Sequence, residues 1–236
     1  FLAHFRKGLF ENIFLPLFIE SIKEYYTPIL DRESQISSIA DYLKTSVELK
    51  NQEESLLREL GSEHALKRVE NELNLLIFGL PERFDSICKN LAPFIQENDH
   101  EIIKICADYA RSIDKIIRFA QELSYEFEAE AEKCFKTENP IKAIMKLYRT
   151  LSDFEDCFNV NHRRMLRSAF EKGFNTSPDS AAKLLAQEVH REFLQKENDH
   201  KACPKETIDQ LVAIFRMLAS KDVFEVAHHM LLSRRI

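Results

Sequence analysis

Apolar residues recur at helical spacing along this chain, and short polar or Gly/Pro-marked breaks divide it into a run of helices. Ala3 to about Tyr26 is apolar enough to be largely buried, with Pro16 expected to kink or break it. Ser34 to Leu60 carries Ile36, Ile39, Ala40, Leu43 and Val47 on one stripe. Gly61 is placed to end that helix and Ser62 to cap the next. The next helix runs through Leu66, Val69, Leu73 and Leu76 until Gly79 and Pro81 bend or interrupt it, and a further segment ends near Gln96. Glu97-Asn98-Asp99-His100 is the most polar break in the first half and the expected sub-domain boundary.

The second half repeats the pattern. A short helix is expected from Glu101 to about Ala110. A long one follows from Ser112 to Phe135, with Ile113, Ile116, Ile117, Ala120, Leu123, Phe127, Ala131 and Cys134 inward. Pro140 stands in the favoured first position of the next helix, which shows Ile144, Leu147, Leu151, Phe154 and Phe158. Helices from about His162 to Phe174 and from Asp179 to Leu194 precede a polar loop, Glu197 to Pro204. Short breaks make consecutive helices antiparallel neighbours. At ~1.5 Å per residue the longest would be about 30 to 40 Å long. The expected fold is all-α: an elongated, rod-like solenoid of stacked helical bundles in which each unit is stabilised mainly by its neighbours.

The last thirty residues or so are the most informative. Ile208, Leu211, Val212, Phe215, Leu218 and Ala219 form one stripe of a helix from Thr207 to Ser220. Ser220 is positioned to cap a second helix, with Asp222 in its first turn and Arg234 and Arg235 in its last, each suited to the macrodipole. Two helices would then meet at one residue, a joint without slack.

This pair resembles the junction in the cullin family where the helical stalk hands over to the C-terminal globular domain. Ile214-Phe215-Arg216, then Lys221-Asp222-Val223-Phe224-Glu225, then Leu232 and Arg235-Ile236 carry the likeness. The junction residues it singles out are Ser220, Lys221, Asp222, Val223, Phe224, Leu232 and Arg235. Looser similarities extend upstream, at Ala169-Phe170-Glu171, Phe174-Asn175 and the helix from Pro178 to Val189, and at Phe10-Glu11, Tyr25-Tyr26, Glu33-Ser34 and Tyr42-Leu43. On that resemblance residues 1–97 correspond to the later helices of a second cullin repeat, 98–219 to a third repeat, and 220–236 to the start of the C-terminal domain. Ile214 to Glu225 leans toward the subclass that uses the DNA-damage-binding adaptor. His228 and His229 depart from the family, which usually has an aromatic residue followed by a small one there. The stretch between Phe158 and Phe170 is also shorter than usual.

The resemblance implies a non-catalytic scaffold of a ubiquitin ligase, in the cytoplasm, the nucleus or both. Its partners would be a substrate adaptor and a RING-box protein bound through regions outside these residues, together with a ubiquitin-like modifier. The adaptor-binding first repeat and the RING-binding domain are not matched here, so none of their functional residues is carried over.

Composition narrows the alternatives. Only 4 Gly among 236 residues leave few sites for the turns and bulges of a β-rich fold. Eighteen Phe and no Trp give a core of rings that need no polar partner. A formal net charge of −6 works against binding nucleic acid, and the longest uncharged apolar run, Leu73 to Leu80, is too short to span a bilayer. Arg6, Lys7 and Glu11 break any signal-peptide core near the start, and a chain beginning with Phe1 is expected to be part of a longer product. Cys88, Cys106, Cys134, Cys157 and Cys203 lack zinc or disulfide spacing and read as reduced, mostly buried thiols.

Candidate chemistry is sparse. Glu-x-x-His occurs at Glu97/His100, Glu197/His200 and Glu225/His228, a spacing that serves di-iron sites in bundles. The first two fall in polar breaks and the further inward Glu ligands are not identified, so no metal or cofactor is expected. His228-His229 would tune a joint by titration or, on the simpler reading, stand as surface imidazoles. His162-Arg163-Arg164 with Arg167 and Lys172 is a basic patch, read as a solvated helix face. No catalytic constellation is present, and there is no phosphate loop. Two rivals to the ligase scaffold are a helical tether unrelated to ubiquitin and a bundle enzyme with a metal centre.

Overall fold

Leu15 donates its amide to the carbonyl of Phe10, one residue further back than in an α-helix, so Phe10–Phe14 forms a single π turn. This wide turn ends two residues before Pro16, which has no N–H to continue an α ladder. The expected kink or break is thus realised as a π turn, and helix α1 (Leu15–Ile36) continues from it. The computed structural model describes residues 9–36, 38–59, 63–198 and 204–233, and no strand occurs among them. The protein is all-α.

Packing divides the chain into two units: Phe1–Leu91 with Glu101–Phe119, and Ala92–His100 with Ala120–Ile236. These segments differ from a single division at Glu97-His100.

In the first unit, α1 runs past its expected end near Tyr26 and through Pro28. An interior proline costs a helix ~3 kcal/mol. Leu15, Ile19, Ile22, Tyr26 and Leu30 are all buried on one face, and that continuous stripe outweighs the penalty. The next helix therefore starts at Ile39, not Ser34, and α2 covers Ile39–Glu59. Ser38 caps it: its hydroxyl accepts the Asp41 amide at 3.1 Å and donates to the Asp41 carboxylate at 2.7 Å. The expected end at Gly61 and cap at Ser62 lie outside the described residues.

Helix α3 (Glu63–Asn74) passes into a second π turn, Leu75–Gly79. Leu80 is extended, and Pro81 begins α4 (Pro81–Cys88) in the expected place for an interruption. Phe78 is fully buried and its ring meets Phe84 at 5.2 Å, Tyr109 at 6.0 Å and Phe119 at 6.4 Å. Tyr109 is supplied by α6 (His100–Ser112), which follows the short α5 (Leu91–Glu97).

Asn98 and Asp114 take up the positive-φ positions that a glycine-poor chain must fill otherwise, with φ 56° and 59°. Behind each, an amide reaches back five residues: Asp99 to Phe94 at 2.8 Å and Lys115 to Ala110 at 2.7 Å, the Schellman pattern. The turn at Asp114 moves the start of the long helix from Ser112 to Ile116, giving α7 (Ile116–Cys134). Ile117, expected inward, is 61% exposed, while Phe119 is fully buried.

The second unit holds the rest of α7 with α8 (Pro140–Phe154), α9 (Val160–Phe174), α10 (Pro178–Asn198), α11 (Lys205–Met217) and α12 (Lys221–Ser233). Pro140 occupies the first turn of α8 as expected, and Ile144, Leu147, Leu151, Phe154 and Phe158 are buried. Asn159 caps α9, its side-chain oxygen accepting from the Asn161 and His162 amides at 3.0 Å. Rings fill the interior: Phe127 meets Phe154 at 5.9 Å, Tyr148 meets Phe170 at 5.9 Å, and Phe135 meets Phe174 at 6.0 Å. At Gly173 the backbones of α9 and α7 touch, since a Cβ there would collide with the Glu128 carbonyl and lie 2.9 Å from the Ala131 Cβ.

Candidate functional site

Helix α11 buries Leu211 and Ile214 and stops at Met217, where Leu218 turns extended (φ −67°, ψ 130°) and is itself buried. The expected one-residue joint at Ser220 is instead a three-residue joint, Leu218 to Ser220, and the α11 stripe shifts accordingly. Val212 is 43% exposed whereas Ile214 is fully buried, and Ala219 is exposed beyond the helix end.

Two side chains hold the joint: Asn175 bonds its backbone and Asp179 bonds the Ser220 hydroxyl. The Asn175 amide donates to the Met217 carbonyl at 2.9 Å and to the Glu171 carbonyl at 2.8 Å, and its oxygen accepts from the Ala219 amide at 2.8 Å. Ser220 directly precedes α12, and its carbonyl accepts the Phe224 amide at 3.3 Å. Its hydroxyl does not cap that helix; it donates to the Asp179 carboxylate at 2.8 Å.

The remaining junction residues divide by exposure. Lys221 and Asp222 are exposed in the first turn of α12, and Val223, Phe224 and Leu232 are half-buried. Arg235 lies outside the described residues, as do Arg234 and Ile236. The Phe224 ring packs on Phe215 at 4.9 Å and on His228 at 5.6 Å. A cleft of about 240 Å³ opens beside these rings, its apolar wall completed by Val189, Phe193, Ile208 and Val212. On the outer side of α12, Val226 is 62% and Met230 57% exposed.

The other sequence-marked residues do not converge on this joint as a chemical site. His100 stands 3.6 Å from the Cys157 sulfur, away from any partnership with Glu97. Glu225 lies 3.9 Å from His229. His200 and Cys203 are outside the described residues. Among the described residues no group of three or more His, Cys, Asp or Glu is arranged to hold a metal ion. Cys88, Cys106 and Cys157 are buried, while Cys134 is half-buried with its thiol pushed up to about 11 by burial and by Glu130. The basic patch is largely taken up within the chain. Arg167 grips the Glu155 carboxylate through both branches of its fork, Lys172 pairs with Glu128 at 2.6 Å, and Arg163 donates to the Phe158 carbonyl at 2.8 Å.

These contacts tie the end of α11 and the start of α12 to Asn175 and Asp179. Residues 2–236 match the family model of the cullin alpha solenoid domain. The chain belongs to the cullin family. It is 20% identical to Cullin-4 of Schizosaccharomyces pombe over 250 residues, an alignment covering 98% of this chain and 33% of that relative. The chain thus spans about a third of the length of the curated relative it matches.

Periodicity alone did not identify Asn175 or Asp179 as parts of the joint. The Phe174-Asn175 turn was legible only through its family resemblance, and nothing in the local pattern indicates that its amide reaches residues some forty positions later.

Proposed function

We propose that this cullin chain is a rigid, non-catalytic stalk segment of a cullin-RING ubiquitin ligase. It holds an adaptor with its substrate and a RING subunit with its charged conjugating enzyme at a fixed separation. Both partners dock through regions outside these residues, and a ubiquitin-like modifier acts on the assembly. Residues 1–97 serve as the later helices of a second repeat, 98–219 as a third, and 220–236 as the entry to the C-terminal domain. The complex works in the cytoplasm, the nucleus or both, as the family resemblance implies.

The family match along residues 2–236 carries this reading. A scaffold of this kind acts through effective concentration and orientation. If the substrate lysine is held near the thioester, an otherwise bimolecular transfer becomes intramolecular, and slack in the support dilutes that gain. Short breaks and a joint held by side chains suit that role.

Affinity purification of the full-length protein from its own cells tests the proposal. Recovery of a RING subunit, together with ubiquitin chain formation when conjugating enzyme is added, is the expected result. Repeated recovery of other partners without a RING subunit would make the chain a helical tether outside ubiquitin transfer.

A further inference from the structure

We infer that Asn175, seconded by Asp179, is a positioning residue that sets the direction in which α12 leaves the bundle. This inference rests on the stalk reading above and deepens it.

The argument begins with the backbone of Leu218. When a residue is extended, the carbonyl before it and the amide after it point to the same side of the chain. At Leu218 (φ −67°, ψ 130°) the Met217 carbonyl and the Ala219 amide face one way, since both bond the Asn175 side chain. A primary amide presents a donor and an acceptor side by side in one plane, the complement of that pair. Asn175 meets both, at 2.9 and 2.8 Å, in the manner of a neighbouring strand.

The amide is itself anchored. Its second hydrogen goes to the Glu171 carbonyl at 2.8 Å, and the Asn175 backbone amide bonds the same carbonyl at 3.0 Å. Both hydrogens of the side chain are therefore committed, and its oxygen is engaged. A helical Leu218 would turn the Met217 carbonyl and the Ala219 amide away from each other and break the pairing, so Asn175 selects the extended state. Asp179, in the first turn of α10, adds a second grip one residue later through Ser220. The turn that joins α9 to α10 thereby holds the joint between α11 and α12 at two points. Leu218, only 2% exposed, provides the apolar pin between them.

An aspartate at 175 would still accept from Ala219 but would set a carboxylate oxygen against the Met217 carbonyl. The amide is therefore specifically required, in a way that bulk or burial is not.

The test is a distance measurement on the full-length protein. Two spin labels are introduced as unnatural side chains at Arg164 on α9 and Met230 on α12, leaving the native cysteines in place. The unmodified joint should give one narrow distribution. Asn175→Ala and Asn175→Asp should each broaden it about twofold or shift it, with the thermal midpoint little changed, because a freed joint samples further local states. Ser220→Ala should broaden it less. Unchanged widths in both Asn175 variants, with the protein folded, would overturn the inference. If those variants do not fold, amide exchange of Ala219 in the unmodified protein decides instead: protection is expected, and exchange at the rate of a free amide would refute the pairing. Broadening without any loss of ubiquitin transfer would leave the positioning role standing and count against the stalk reading alone.

Discussion

At Leu80 the backbone between α3's π turn and α4 is extended, with φ −64° and ψ 130°; at Leu218, between α11 and α12, it is nearly the same, with φ −67° and ψ 130°. The means of support differ. The first break is flanked by Gly79 and Pro81, and Pro81 has its own φ fixed by its ring. Long cationic side chains satisfy the carbonyls freed there. Lys115 donates to Gly79 at 2.9 Å while lying 4.9 Å from the Phe84 ring centre, and the buried Arg83 reaches the Leu76 carbonyl and the Asp31 carboxylate. The second break has neither glycine nor proline. A short planar amide holds it, and its central leucine is buried, whereas Leu80 is 42% exposed. The first break combines a fixed proline φ with long cationic side chains, whereas the second rests on one amide and a buried leucine, so truncating the central leucine should loosen the second more.

Truncation of the two leucines should separate the breaks most clearly. Leu218→Ala removes a buried side chain and should cost about 2 to 4 kcal/mol, whereas Leu80→Ala should cost under about 1 kcal/mol, read from denaturant midpoints at constant slope. Equal losses would mean that the two breaks are held alike. Arg83→Met comes next, at about 2 kcal/mol, because the Leu76 carbonyl loses a charged donor. A neutral result would place the strength of the first break in Gly79, Pro81 and the Lys115 contact. Ser220→Ala is the mildest, below about 0.5 kcal/mol, since it removes one exposed hydrogen bond. A loss above 1 kcal/mol would make Asp179 a main support of the joint.

What could be read from the sequence follows the same division. Pro140 and the stripe Ile144, Leu147, Leu151 and Phe154 were legible because an N1 proline and a helical period are local signals. The interruption between Gly79 and Pro81 was legible for a similar reason. Pro28 was not, because the buried stripe ending at Leu30 carries α1 through a residue that local propensity would make a stop. Asp114 hid a helix end, since an aspartate at positive φ leaves no glycine to mark it, and with that end went the register that exposes Ile117 and buries Phe119. At the joint, the place and the family were readable from Ile214 to Glu225. The three-residue form of the joint and its hold by Asn175 depend on a contact between distant segments, for which periodicity has no signal.

The spacer role itself is tested most directly by adding slack. A flexible Gly-Ser segment of ~10 residues is inserted between Ser220 and Lys221 of the full-length protein, and the assembly is reconstituted with its adaptor, RING subunit and substrate. The account predicts that both ends still bind their partners while ubiquitin transfer to the bound substrate falls about tenfold or more, as effective concentration drops. Transfer at the unmodified rate, with the same partners bound, would contradict it.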